Sequence, residues 1–219
     1  MHNKLAYSHP AYGPYAVSFA APVRELYTGY RSKILSHLLL LNEEDRRLRF
    51  GTQTPNEVIE AYVERLDFSK DTLFGSFDSQ LHLVGMAHLA YIPKVKGQVN
   101  AAEFGVSVLP NGRGQGIGTT LLARAAVHAR NTSIETLFVH CLAYNKTMMH
   151  LAQRAGMHVQ HTYGDADACL KLQPANSGSI AEEAANRRWA DFDYALKENF
   201  KRSCDAWSWF LSKSIARAT

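Results

Sequence analysis

Val106-Ser107-Val108-Leu109-Pro110-Asn111-Gly112-Arg113-Gly114-Gln115-Gly116-Ile117-Gly118-Thr119-Thr120-Leu121-Leu122 decides how the chain is read. An apolar strand runs into Pro110-Asn111-Gly112, a strong break. Beyond it, Ile117, Leu121, Leu122, Ala125 and Ala129 recur at helical spacing and make one apolar face. Between strand and helix, glycine recurs at 112, 114, 116 and 118. Glycines there let the backbone approach a ligand and turn its amides inward. A helix start adds free N–H groups and partial positive charge, and Arg113 adds a full one. The unit suits a phosphate or diphosphate; a bare glycine turn without ligand is the alternative. No Gly-Lys follows, so it is not a nucleotide P-loop. The dinucleotide pattern G-x-G-x-x-G fails from Gly112, where Ile117 is sixth, and from Gly114, where Thr119 is sixth.

Working outward, Glu103 to Leu109 reads as the strand feeding the loop, after a polar stretch with Lys94, Lys96, Gly97 and Asn100. Leu73 to Phe77 and Leu81 to Tyr91 read as strands joined at Asp78-Ser79-Gln80. Pro22 to Leu41 reads as a helix from Val23, Leu26, Tyr27, Ile34, Leu38 and Leu41. Asn42 is placed to cap a short helix whose first turn holds Glu43, Glu44 and Asp45. Thr54-Pro55-Asn56-Glu57 reads as a capping box opening a helix to about Leu66. Downstream come a strand at Leu137 to Leu142, a helix capped by Asn145 and ended by Gly156, and a hairpin of Val159 to Thr162 with Ala168 to Leu172.

Residues 1–14 read as a lead-in, with Tyr15 to Phe19 as a first strand. Residues 15–173 read as one domain, 174–179 as a linker, and 180–219 as a helical extension. Trp189, Phe192, Leu196, Phe200, Trp207, Leu211 and Ile215 keep near-helical spacing in that extension. Its charges are mixed, which argues against membrane attachment. Packing on its own domain and a homodimer through this helix are both open.

The chain has 219 residues, 46% of them hydrophobic, and a formal net charge of +4. That is enough apolar material for a real core. The mild positive excess suits an anionic small ligand, nucleic acid or plain solubility alike, and with no basic block to argue for it no nucleic-acid partner is expected. Leu38 to Leu41 is the longest aliphatic run, far short of a bilayer span. Cys141, Cys169 and Cys204 form no C-x-x-C pair, so neither a disulfide framework nor a metal site is expected. A cytoplasmic location fits these features. His140-Cys141 reads as a buried, inert thiol beside a histidine rather than a nucleophile or metal pair.

Arg113-x-x-Gly116-x-Gly118 resembles the Q/R-x-x-G-x-G/A signature of the GNAT acetyltransferases. Ala102-Glu103-Phe104-Gly105-Val106-Ser107-Val108 is similar to that family's fourth strand. Asn145-Lys146-Thr147-Met148, Leu151-Ala152 and Ala155-Gly156-Met157 resemble its Asn-capped helix, and the likeness covers about Tyr15 to Leu172. More narrowly, Ala102-Glu103-Phe104 and Asn145-x-x-Met148-x-x-Leu151-Ala152 resemble the bacterial protein-lysine acetyltransferases of the Pat type. The resemblance implies a mixed α/β fold, its mostly antiparallel sheet flanked by helices. It implies acetyl-CoA as cosubstrate, without a metal. The diphosphate would sit on Arg113, Gly114, Gln115, Gly116, Ile117, Gly118 and Thr119. The pantetheine arm would bond to the backbone of Val106, Ser107 and Val108, and Asn145 would cap a helix, touch the cofactor, or both.

By the same resemblance, Glu103 stands where related lysine acetyltransferases carry a general base. An amine of pKa about 10.4 is mostly protonated near neutrality, and a nearby carboxylate can accept its proton. A strand position between apolar neighbours would desolvate Glu103 and make it a better base. The family's Tyr, seven residues after the Asn, is Ala152 here, so no general acid is assigned. The function implied is acetyl transfer to a primary amine, either a small molecule or a protein lysine. A non-catalytic acyl-CoA-binding module acting through the C-terminal helix is the alternative. Asp45 to Phe50, and Asp165 with Asp167, read either as solvated surface and turn or as acceptor lining.

Overall fold

A computed structural model describes residues 21–93 and 99–216, with side chains as far as Trp207. The expected lead-in and the strand at Tyr15 to Phe19 lie outside the described residues, as does most of the polar stretch before Asn100.

Seven strands form one sheet in the order β1-β2-β3-β4-β5-β7-β6. They are β1 (Val23–Leu26), β2 (Asp71–Phe77), β3 (Leu83–Tyr91), β4 (Ala101–Val108), β5 (Thr136–Leu142), β6 (His158–Thr162) and β7 (Asp165–Lys171). Every pairing is antiparallel except β4 with β5, which is parallel. The helices are α1 (Arg31–Leu39), α2 (Glu43–Phe50), α3 (Asn56–Arg65), α4 (Ile117–Asn131), α5 (Lys146–Arg154) and α6 (Ser177–Ala216). This is the mixed α/β architecture expected, with a long C-terminal helix.

Two cores lie on opposite faces of the sheet. Phe74, Phe104, Leu121, Leu122, Ala125 and Leu137 fill one, under α4 and α5. Ile34, Leu38, Ile59, Leu73, Phe77 and Met86 fill the other, under α1 and α3. This corrects the helix expected from Pro22: residues 23–26 form a strand, and the helix starts only at Arg31. Val23 and Leu26 point to opposite faces, yet both are buried because each face is covered. Burial on both faces removes the period of two, and the i,i+3 pair then imitates a helix.

Asn42 caps α2, accepting from the Asp45 N–H at 2.8 Å. The Thr54 capping box does not form. Thr54 Oγ1 donates to the Thr52 carbonyl at 3.0 Å, and α3 begins after Pro55 without a side-chain cap.

At 40 residues, α6 is about 60 Å long. It starts at Ser177, inside the stretch expected as linker. Near its start Glu183 accepts from Arg124 (2.9 Å) and His128 (2.7 Å) of α4, and from Asn131 (2.7 Å). The hydrogen bond from His128 leads in holding the Glu183 carboxyl well below the usual carboxylate range. Ala190 is buried, but Trp189, Phe192, Leu196 and Phe200 are 50–63% exposed. These four side chains therefore face largely outward, while Tyr194 packs edge-on against Phe77 with ring centroids 5.1 Å apart and Lys197 Nζ donates to the Phe77 carbonyl. Among the described residues, no helix is long and apolar enough to cross a membrane.

Glu183→Ala leaves the Arg124 guanidinium, 3% exposed, buried without its carboxylate. Removing one partner of a buried pair costs about 3–5 kcal/mol, so a loss of that order is expected in urea unfolding. An unchanged midpoint would refute this account of how α6 docks.

Candidate functional site

The parallel pairing of β4 with β5 runs through Ala101–Thr136, Ala102–Leu137 and Glu103–Phe138 and then stops. Both strands continue, to Val108 and Leu142, each held on its other side by β3 or β7. Which backbone groups are left facing the gap follows from the ladders. The Leu109 N–H donates to the Val84 carbonyl (2.8 Å), and the Ile92 N–H to the Ala101 carbonyl (2.9 Å). With the register unbroken between these bonds, odd-numbered residues of β4 are committed to β3 and even-numbered ones turn outward. Phe104, Val106 and Val108 thus present N–H and C=O to the gap. On the other side, the Leu172 N–H donates to the Glu135 carbonyl and the Ala143 N–H to the Gly164 carbonyl, both at 2.9 Å. His140 and Leu142 therefore turn their backbone toward β4.

Ser107 differs from its neighbours. Its backbone belongs to the β3 ladder, and its side chain is buried against α1. His37 Nδ1–H donates to the Leu83 carbonyl, leaving Nε2 to accept from Ser107 Oγ–H, both at 2.8 Å. The geometry takes Ser107 out of the set that can bond a ligand in the gap and brings Phe104 in.

The glycine stretch closes one end of the gap. Gly114 and Gly116 take φ of +73° and +75°, where glycine is favoured. No side chain caps α4, so the first N–H groups from Ile117 to Thr119 have no intrahelical partner. The side chain of Ile117 anchors the turn in the core while Gly114, Gln115 and Gly116 are exposed. Arg113 is not free: it pairs with Asp45 of α2 at 2.6 Å, and its Nε donates to the Val108 carbonyl at 3.3 Å. Asn145 caps α5, accepting from the Met148 N–H at 3.0 Å. Ala152, at the position of the family Tyr, is buried in the core under α4 and α5.

At the other end, a cleft of about 410 Å³ opens between the last turn of α2 and the mouth of the gap. Arg49, Phe50, Glu103, His140, Leu142 and Asp165 are among its walls. Glu103 is exposed there, so the burial expected for it is absent. His140 Nδ1–H donates to Asp167 at 2.7 Å, and that bond raises the pKa of the imidazole. Cys141 turns into the core, and burial pushes its thiol up, in keeping with an inert residue. The sequence holds Arg49 only as part of Asp45 to Phe50, open between solvated surface and acceptor lining; in the structure its guanidinium lies against Gly105 of β4. A Cβ at Gly105 would meet it at 2.7–2.9 Å. The available signal was a glycine inside a strand, which marks close approach.

This arrangement, a parallel strand pair that opens over the uncapped start of a helix, is the core of an acyl-CoA N-acyltransferase fold. The family model for the acetyltransferase (GNAT) family matches residues 38–157, and the chain belongs to that family. Solved structures share the fold at low identity. The GNAT domain of S. lividans PAT aligns with a TM-score of 0.59 and 18% identity, over 69% of this chain and 90% of that one. Spermidine N-acetyltransferase from Vibrio cholerae, in complex with CoA and spermine, aligns with a TM-score of 0.56 and 19% identity, over 71% and 97%. Phosphinothricin acetyltransferase from Sinorhizobium meliloti, in complex with AcCoA, aligns with a TM-score of 0.56 and 14% identity, over 72% and 95%. A search of curated proteins finds no match.

Burial lowers the His37 pKa from the usual 6.5 to about 4. On acidification the unfolded chain takes up this proton first. The stability that neutral His37 contributes is complete above pH 6.5 and drains away as pH falls toward 4, by at most about 1.4 kcal/mol per pH unit. Urea unfolding across this window should be less pH-dependent in His37→Gln than in the parent. Parallel curves would refute the assignment.

Proposed function

We propose that the protein transfers an acetyl group from acetyl-CoA directly to a primary amine. What carries the reading is the gap between β4 and β5, with outward-turned backbone on both sides, the glycine loop at one end and Glu103 at the other. Pantetheine fills the place of a missing strand, bonding Phe104, Val106 and Val108. The diphosphate takes the amides from Gly114 to Thr119 and shares Arg113 with Asp45. The Asn145 side-chain oxygen stays with its helix, so any cofactor contact comes from its Nδ2.

Glu103 accepts the proton of the amine, directly or through water. Its exposure at the cleft wall lets water connect it to the nucleophile. The amine nitrogen attacks the thioester carbonyl, the new C–N bond forms, the C–S bond breaks, and coenzyme A leaves as a thiolate that is then protonated. A thiol pKa near 8.5 makes that departure tolerable without a dedicated acid. Free Cys141, Cys169 and Cys204 suit a reducing cytosol.

Calorimetry should show coenzyme A binding in both the parent and Glu103→Gln. Turnover of the variant should fall about 100-fold or more near neutral pH and recover partly at high pH, where the amine is already neutral. Equal turnover across pH would remove Glu103 from the base role. Binding without turnover on a broad amine panel would favour the non-catalytic module.

For α6, the same reading takes a second copy of this chain as the partner of the exposed stripe. Trp189, Phe192, Leu196 and Phe200, each half or more exposed, offer roughly 500 Å² per chain. A two-fold pairing doubles that to about 1,000 Å², the lower bound for a specific interface. Light scattering should give a dimer that Leu196→Asp with Phe200→Asp converts to monomer; a monomeric parent would overturn this part.

A further inference from the structure

Arg49 is a cation in the cleft with no anion of its own. Among the described residues, the inward-turned arginines find carboxylates or carbonyls: Arg24 with Asp191, Arg124 with Glu183, Arg46 with the carbonyls of Leu39, Leu41 and Thr54. Among the described residues Arg49 forms no ion pair, and its buried Nε meets no hydrogen-bond partner there. Its one hydrogen bond is long, from Nη2 to Tyr62 Oη at 3.4 Å.

The side chain is nonetheless held in place. Tyr62 O–H donates to His88 Nδ1 at 2.7 Å, and His88 Nε2 lies 3.1 Å from the Asp71 carboxylate. That chain fixes the phenol oxygen that accepts from Arg49. Phe50 lies beneath the guanidinium, 5.1 Å from ring centroid to Cζ, and Gly105 gives it room on the strand. Gly105 and Glu103 stand two apart on one face of β4, their backbones about 7 Å apart along the strand, and Arg49 and Glu103 line the same cleft.

We propose that the acceptor is an amino acid-type molecule, carrying its amine and a carboxylate together, and that Arg49 is its carboxylate anchor. This rests on the acetyl-transfer reading for the role of the amine, but the carboxylate site stands on Arg49 alone. The free N–H groups of the guanidinium supply a charge-assisted contact, and the acceptor's amine is then directed toward Glu103. A lysine side chain within a protein, or a polyamine, has no carboxylate to offer and leaves the cation unpaired.

The test uses the full-length protein saturated with coenzyme A, so that binding is read without turnover. Free amino acids are titrated calorimetrically beside their carboxamides, which keep the amine and lose the charge. Spermidine and a lysine peptide with blocked termini complete the set. The acids should bind about 10- to 100-fold more tightly than the amides. That ratio should collapse toward one in Arg49→Gln and recover in part in Arg49→Lys. Gly105→Ala, which displaces the guanidinium without removing it, should also lower the ratio and guards against a folding defect in the first variant. Acids and amides binding alike, or the lysine peptide or spermidine binding best, would overturn the proposal. Steady-state kinetics with acetyl-CoA separates the two readings. Selective acid binding without turnover keeps the carboxylate site and sinks acetyl transfer. In an active enzyme, an equal fall in kcat for acids and amides on Arg49→Gln, at unchanged KM, would place Arg49 at the reacting carbonyl and overturn the anchor.

Discussion

Backbone groups that no neighbouring strand takes up are the constraint around which this molecule is organised. A backbone N–H or C=O away from water needs a partner, and β4 and β5 part while each still has residues to run. Beyond that point each keeps only its other partner, β4 pairing with β3 and β5 with β7. The opening is thus a property of the whole sheet, built from two antiparallel blocks that meet only at Ala101–Glu103 and Thr136–Phe138. An extended ligand with its own amides is the natural occupant of such a gap.

The two faces of the sheet divide the remaining work. On one face α4 packs Ile117, Leu121 and Leu122 into the core, so its uncapped end is held against the end of β4. On the other face α2 spans the gap. Asp45 and Arg49, four residues apart on one side of α2, reach Arg113 and Gly105 respectively. Arg47 reaches across to the ring of Tyr144, 5.7 Å away, beyond β5. A short helix with no fully buried residue of its own is thus held by these contacts together with Phe50 packing on the α1/α3 core and Arg46 bonding the carbonyls of Leu39, Leu41 and Thr54.

Those differences in what holds each element decide what the sequence made legible. The strand–glycine–helix unit was readable because the fold and the candidate site share the same residues: Ile117, Leu121 and Ala125 show the period while the glycines between them show the turn. Asn42 and Asn145 were readable because a cap is a local bond, three residues long. β1 was not, since a strand buried on both faces has no alternation. Thr54 was not, since α3 starts after Pro55 and leaves Thr54 one residue before the cap position. Ser107 and Phe104 exchanged places for a further reason: which way a strand turns its amides is set by the register of its partner, and no residue of β4 encodes that alone. Arg49 depends on Tyr62, His88 and Gly105, three separate elements that only the folded chain brings together.

The departure from the family pattern at Ala152 acquires a physical meaning in this frame. Ala152 is buried in the core under α4 and α5. On the opposite face, the part formed by β4, β5 and β7 beside the cleft is polar. It carries Glu103 on β4, His140 on β5 and Asp167 on β7, with Asp167 fixing the imidazole through Nδ1 and leaving Nε2 toward solvent. Proton-handling groups thus gather on the face that the cleft opens to, while the face holding the family position has been given over to packing. A thiolate leaving group asks little of an acid, so under the proposed acetyl transfer an alanine at 152 costs the chemistry little. Under the proposed acetyl transfer Glu103 is the harder residue to replace, because a protonated amine has no lone pair with which to attack.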